Sequence, residues 1–152
     1  MSDAEDSATE IATVRIELAD SDPLIWREID VPTSITLKTL NKIIQAAMGW
    51  LNYHLWEFNV AKRRYGEPSD EDFGDEPLRD AANVKLRQLL KPVETPIRYV
   101  YDFGDGWEHR LTVTNVRAGD PALLYPRYVA GADVGNGEAM LPVVAEIVEI
   151  TN

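Results

Sequence analysis

The sequence has no cysteine and only two histidines in its 152 residues. The missing thiols exclude disulfides, thiolate zinc sites and cysteine nucleophiles, and they are typical of a reducing compartment. No apolar run approaches the roughly 20 residues that a membrane-spanning helix needs. The N-terminus, Met-Ser-Asp-Ala-Glu-Asp, also lacks the basic and apolar stretches of a secretory signal. We therefore expect a cytoplasmic protein with no membrane partner.

Positive charge is scarce, and the net charge is −11. Residues 1–10 hold four acids and no base, and residues 66–80 hold seven acids and one base, so the remainder is nearly neutral. This placement predicts a disordered acidic tail over residues 1–12, one domain over residues 13–152, and a mobile acidic loop over residues 66–80. A net charge this negative disfavours nonspecific nucleic-acid binding, because such binding requires basic side chains that neutralise phosphates.

Hydrophobic periodicity predicts the first elements of this domain. Apolar and polar residues alternate over residues 14–18 and 25–31, which indicates two strands joined as a hairpin. Apolar residues recur at helical spacing over residues 37–48, after a capping Thr36 and before Gly49. A strand over residues 54–60 follows this helix.

The second half of the chain predicts a further hairpin over residues 99–113. The apolar residues within 143–150 favour a closing strand, with a helix as the alternative. One long helix on a mostly antiparallel sheet is a two-layer α+β arrangement. The opening order of hairpin, helix and strand is the order of β-grasp (ubiquitin-like) domains. We therefore predict a β-grasp-like α+β fold.

The stretch "YVYDFGDGWEHRLTV", Tyr99 to Val113, concentrates most of the candidate functional residues. Placing its apolar residues on one face requires an odd-numbered loop, and we predict a three-residue tip, Gly104-Asp105-Gly106. Tyr101 then faces His109, and Phe103 faces Trp107.

The same register sets Asp102 directly opposite Glu108 on the other face of the hairpin. Like charges in that position repel, so a basic side chain, backbone donors or a metal ion should relieve them. His109 points to the opposite face from this carboxylate pair. A single metal site that combines all three residues is therefore geometrically unfavourable.

Three stretches together resemble the plasmid pRiA4b ORF-3-like family, whose members also occur as passengers of insertion elements. They are "PLIWREIDVPTSITLKTLNKIIQAAMGW", "YHLWEFNV" followed by "RRYG", and "YVYDFGDGWEHRLTV". The resemblance implies a plasmid or mobile-element association, a resolvase label taken from genetic neighbourhood, and no established activity.

This chain departs from the family pattern at three places. Asn41 and Trp56 stand where members often have histidine, and the C-terminal "GADVGNGEAMLP" lacks the cysteine of many members. If the family uses those residues as ligands or catalysts, the corresponding binding or activity of this chain is weaker or of a different kind.

Three hypotheses of function follow. The first is a non-enzymatic module that binds a protein partner, without catalytic residues or cofactor, through aromatic side chains such as Trp50 and Trp107. Its candidate residues are Trp50, His54, Asp102, Asp105, Trp107, Glu108 and His109.

The second hypothesis is a metal-assisted hydrolase or nuclease that uses a divalent ion near Asp102 and Glu108, with Asp105 and His54 close by. The third is a DNA-binding or recombination accessory protein that uses the basic residues of segments 62–64 and 85–91. The sequence shows no nucleophile with the arginine cluster that a recombinase requires.

Overall fold

The computed structural model describes residues 9–21, 23–50, 54–68, 77–90, 96–102 and 106–132. Across these ranges, eight strands form one sheet and a single α-helix packs against it. The predicted two-layer α+β class is confirmed. No helix in this part of the chain is long and apolar enough to cross a membrane.

The strands, in chain order, are β1 (Glu10–Leu18), β2 (Trp26–Pro32), β3 (Trp56–Val60), β4 (Arg63–Gly66), β5 (Leu78–Asp80), β6 (Ile97–Tyr101), β7 (Trp107–Ala118) and β8 (Arg127–Ala132). Their order in the sheet is β5-β4-β3-β6-β7-β1-β2-β8. All neighbours are antiparallel except β4 and β5, which are parallel. The chain begins with the predicted hairpin, helix and strand. In the sheet, the β6–β7 hairpin lies between β3 and β1.

The helix α1 spans Leu37–Met48, as its periodicity predicts. The hydroxyl of Thr36 accepts a hydrogen bond from the backbone N–H of Thr39 at 3.1 Å, which satisfies one free donor of the first turn. Gly49 ends the helix with a φ of 80°, a left-handed conformation that glycine adopts without steric cost.

The core lies between α1 and one face of the sheet. The helix contributes a stripe that includes Leu40, Ile43 and Ile44, and the sheet contributes side chains such as Phe58 and Tyr99, all with no exposed surface. Burying each such side chain contributes about 2 kcal/mol, so this interface is a major source of stability.

Two predictions, the bounds of the acidic tail and of the mobile loop, need correction. Residues 10–12 belong to β1 and not to the tail, because Ile11 and Ala12 are fully buried. Residues 78–80 of the predicted mobile loop form β5, paired in parallel with β4. The predicted closing strand at 143–150, residues 1–8 and residues 69–76 lie outside the described residues.

A buried arginine ties the end of the helix to the edge of the sheet. Arg27, only 2% exposed, donates from Nε to the carbonyl of Ala47 and from Nη1 to the carbonyls of Trp26 and Ala132, each at 2.9 Å. The cation therefore lies at the negative end of the α1 dipole. This contact connects α1, β2 and β8.

The β3–β4 hairpin closes through a two-residue turn in which neither residue is glycine. Val60 pairs with Arg63, and Ala61 and Lys62 have φ values of 50° and 70°. Positive φ at both central residues is the geometry of a type I′ turn, and it is unfavourable for residues with a Cβ atom.

The substitution Lys62→Gly should stabilise the protein by about 0.5–1 kcal/mol, because glycine removes the steric cost at that φ. The matched change Lys42→Gly, on the exposed side of α1, should destabilise it by about 1 kcal/mol. Urea unfolding monitored by circular dichroism measures both values. If both substitutions destabilise the protein, the prediction that the backbone is strained at Lys62 is wrong.

Candidate functional site

Four aromatic side chains meet at the end of the sheet where β6 and β7 are joined. Trp107, the first residue of β7, pairs with Tyr101, the last residue of β6. Trp50, just after α1, and His54, just before β3, complete the group. We call Trp50, His54, Tyr101 and Trp107 the aromatic rim.

The rings of the rim form a continuous series of contacts. The centroid of Trp50 lies 5.5 Å from that of Trp107 and 5.7 Å from that of Tyr101. His54 meets Tyr101 edge-on at 5.7 Å. Tyr101 is buried, whereas Trp107 keeps 40% of its surface exposed. The rim thus has a buried base and an exposed indole.

His109 supports the rim from below and is fully buried. Its Nδ1 lies 3.2 Å from the carbonyl oxygen of Tyr99, and the Nε1–H of Trp50 donates to its Nε2 at 3.2 Å. A carbonyl oxygen can only accept a hydrogen bond, so Nδ1 carries the proton. Nε2 is unprotonated and accepts the bond from Trp50. The neutral imidazole is the form that satisfies both bonds.

Burial lowers the pKa of His109 to about 4, because the protein interior solvates the imidazolium poorly. Hydrogen bonds to the backbone of Tyr99 and Trp107 oppose this shift without cancelling it. At neutral pH His109 is therefore an uncharged structural acceptor.

A second buried polar group joins the same strand to the helix. The phenol of Tyr99 accepts a hydrogen bond from Gln45 Nε2 at 2.7 Å and donates to Asn41 Oδ1 at 2.5 Å. All three side chains are at most 3% exposed. Burial raises the pKa of Tyr99 well above its ordinary value, so the phenol remains protonated.

The register of the β6–β7 hairpin differs from the predicted one by two residues. Tyr101 pairs with Trp107, and Tyr99 pairs with His109. The backbone N–H of Gly106 bonds to the carbonyl of Asp102 at 2.6 Å, so a connection longer than the predicted tip joins the strands. Phe103 and the tip residue Asp105 lie outside the described residues.

This shift removes the predicted opposition of Asp102 and Glu108. Val100 is the residue opposite Glu108. Glu108 instead accepts two hydrogen bonds from Arg98, at 2.8 and 3.1 Å, on the face away from the rim. The Arg98 guanidinium lowers the pKa of Glu108, so no metal is required to neutralise this carboxylate.

Asp102 lies beside the rim in a left-handed backbone conformation with a φ of 65°. Its N–H donates to the carbonyl of Leu55 at 2.9 Å. Its Oδ2 is 3.6 Å from Nε2 of His54. The predicted candidates Trp50, His54, Asp102, Trp107 and His109 are therefore near one another, whereas Glu108 faces away.

The described residues contain no group of three or more His, Asp or Glu side chains placed to hold a metal ion. His54 and Asp102 form a pair only. A separate cleft of about 240 Å³ is lined by residues that include Lys38, Trp56 and Asp80 but neither histidine. Of the basic residues in the third hypothesis, Arg64 donates two hydrogen bonds to Glu57, which neutralises its charge.

Sequence reasoning missed the buried bonds of Tyr99 with Asn41 and Gln45. A signal was present, since residues 41 and 45 are four apart and lie beside the apolar positions 40 and 44 of α1. Polar side chains on a buried helix face need hydrogen-bond partners, and two that are four residues apart can reach the same one.

The chain matches a family model described as plasmid pRiA4b ORF-3-like protein over residues 10–140. The chain belongs to this family. The match covers every described strand and the whole of α1, so the rim residues of this chain lie within the matched region. The resemblance carried by the hairpin motif is thereby confirmed.

Two relatives share the sequence or the fold. The chain is 38% identical over 104 residues to the Uncharacterized protein y4hQ of Sinorhizobium fredii, which covers 68% of this chain and 53% of that protein. The chain thus spans about half the length of this curated relative. The crystal structure of a protein of unknown function, MM3350 from Methanosarcina mazei Go1, matches with a TM-score of 0.73 at 29% identity, over 81% of this chain and 70% of that one.

The lowered pKa of His109 predicts a pH-dependent stability. Between about pH 6.5 and pH 4 the unfolded histidine binds a proton that the folded one does not, so stability falls as pH decreases through this window. From pH 7 to pH 5 the loss should be about 2 kcal/mol. Urea unfolding at both pH values measures it.

The control for this prediction is His109→Gln, which keeps a hydrogen-bonding side chain but does not titrate. This variant should be less stable at pH 7 and should lose less stability on acidification. An equal pH dependence in both proteins would contradict the assignment to His109.

Proposed function

We propose that this chain is a non-enzymatic binding module and that its aromatic rim contacts a protein partner. The observation that carries the proposal is the exposure of Trp107, whose indole is 40% exposed although it packs against Trp50. Tryptophan is enriched among the residues that dominate protein–protein binding energy.

The contacts beneath the rim favour a binding role, because they hold its side chains in place before any partner binds. Trp50 is held by its bond to His109, and Tyr101 is fixed within the sheet between Trp56 and Trp107. A side chain that is already ordered loses little conformational entropy when a partner binds. The rim is therefore a preorganised contact surface.

The metal-assisted alternative has weaker support. Catalysis of that type needs a metal held by several ligands and a site for the reacting water. The described residues offer only the His54–Asp102 pair near the rim. We therefore assign no catalytic role to Asp102, Glu108 or His109, and we expect the partner to be a protein from the plasmid or mobile-element setting of the family.

Trp107→Ala should abolish capture of the partner from a lysate of the source organism, because it deletes the exposed indole. The matched control is Leu124→Ala, which removes a side chain that is 74% exposed on the loop before β8. Affinity capture followed by mass spectrometry should recover the same protein with wild type and Leu124→Ala only.

Circular dichroism and thermal melting of the three proteins check that the variants remain folded. Retention of one set of proteins by all three baits would contradict the proposal. A wild-type bait that retains nothing would contradict it as well.

A further inference from the structure

We infer that the rim recognises a positively charged side chain, so that the partner presents an arginine- or lysine-containing segment. This inference rests on the proposed binding function and specifies the chemistry of its partner. It depends on the open indole of Trp107, the carboxylate of Asp102 beside the rim, and the charge of the whole protein.

The indole of Trp107 has a free surface for such a contact. Trp50 packs against it at 5.5 Å, and the strand pairing sets Tyr101 beside it. A cation over the face of an indole is attracted by the negative electrostatic potential of the ring, and tryptophan gives the strongest such attraction. Several aromatic rings in one group extend the surface over which this attraction acts.

The same chain already uses this interaction elsewhere. Arg15 lies 4.1 Å from the ring centroid of Trp26, on the face of the sheet away from α1. Within the described ranges, no guanidinium or ammonium group of the chain occupies Trp107 in this way. The two tryptophans therefore differ in that Trp26 has an internal cation and Trp107 faces outward.

Charge near the rim also favours a cation. Asp102 follows Tyr101 directly, and its side chain remains 17% exposed beside His54. The basic neighbours Arg98 and Arg110 are on the opposite face of the hairpin, since Arg98 pairs with Arg110 and both alternate with the rim residues. Arg27, which lies on the same face of the sheet as the rim, is 2% exposed and donates to the carbonyls of Ala47, Trp26 and Ala132.

The net charge of −11 adds a long-range contribution. A field of this sign raises the local concentration of basic segments and repels acidic ones, and salt screens it. This long-range attraction is independent of Trp107, so the experiment has to separate it from the local contact.

The test uses two peptides of equal length, alternating glycine with arginine or glycine with citrulline, titrated by isothermal calorimetry. Citrulline keeps the shape and hydrogen-bonding groups of arginine without its charge. The protein variants are Trp107→Leu, Trp107→Tyr and, as the matched control, Trp26→Leu, none of which changes the net charge.

The arginine peptide should bind wild type and Trp26→Leu alike, and Trp107→Leu roughly three- to tenfold more weakly. Trp107→Tyr should restore most of the affinity, because the aromatic face returns. The citrulline peptide should bind wild type much more weakly. A fourth variant, Asp102→Asn, removes one negative charge and keeps a residue type that adopts the left-handed backbone, and it should cause a smaller loss than Trp107→Leu.

Equal affinity of the arginine peptide for wild type and Trp107→Leu would overturn the inference, since only the diffuse acidic charge would then be responsible. Equal affinity of both peptides for wild type, or binding of neither, would overturn it too. If a lysate partner still depends on Trp107 in any of these cases, the binding module stands and only its preference for a cation is wrong.

Discussion

The arrangement of the molecule depends on the buried hydrogen bonds that join the β6–β7 hairpin to α1 and to Trp50, two residues beyond the helix. Tyr99 bonds to Asn41 and Gln45 on the helix, and His109 bonds to Trp50 just beyond it. Apolar packing alone would tolerate small shifts of the helix over the sheet, whereas each buried polar group needs its own partner. These bonds therefore define one position of the helix and, with it, of Trp50.

The exposed part of the molecule follows from that buried part. Because Trp50 bonds to His109 inside the protein and packs against Trp107 outside it, the indole at the surface rests on a fixed support. The lowered pKa of His109 belongs to the same arrangement, because it keeps the ring neutral and only the neutral ring satisfies both hydrogen bonds. Stability and the proposed binding surface thus share one set of contacts.

The alternation of side chains predicted much of this, and its failures have physical causes. Shifting a hairpin register by two residues keeps every side chain on its face, so His109 was correctly placed inside although its partner is Tyr99 and not Tyr101. The same shift changes which charged residues lie opposite each other, so the prediction that Asp102 and Glu108 repel each other across the hairpin was wrong. Contacts of Tyr99 with α1 depend on helix docking, which periodicity does not determine.

Proton exchange of the indole N–H groups, followed by NMR, tests the central claim most directly. The Nε1–H of Trp50 should exchange slowly in the wild type, because it donates to a buried acceptor, while that of Trp107 should exchange faster. His109→Phe should remove the protection of Trp50 and change the resonance of Trp107. If Trp50 exchanges as fast as Trp107 in the wild type, the buried bond does not support the rim and the account is wrong.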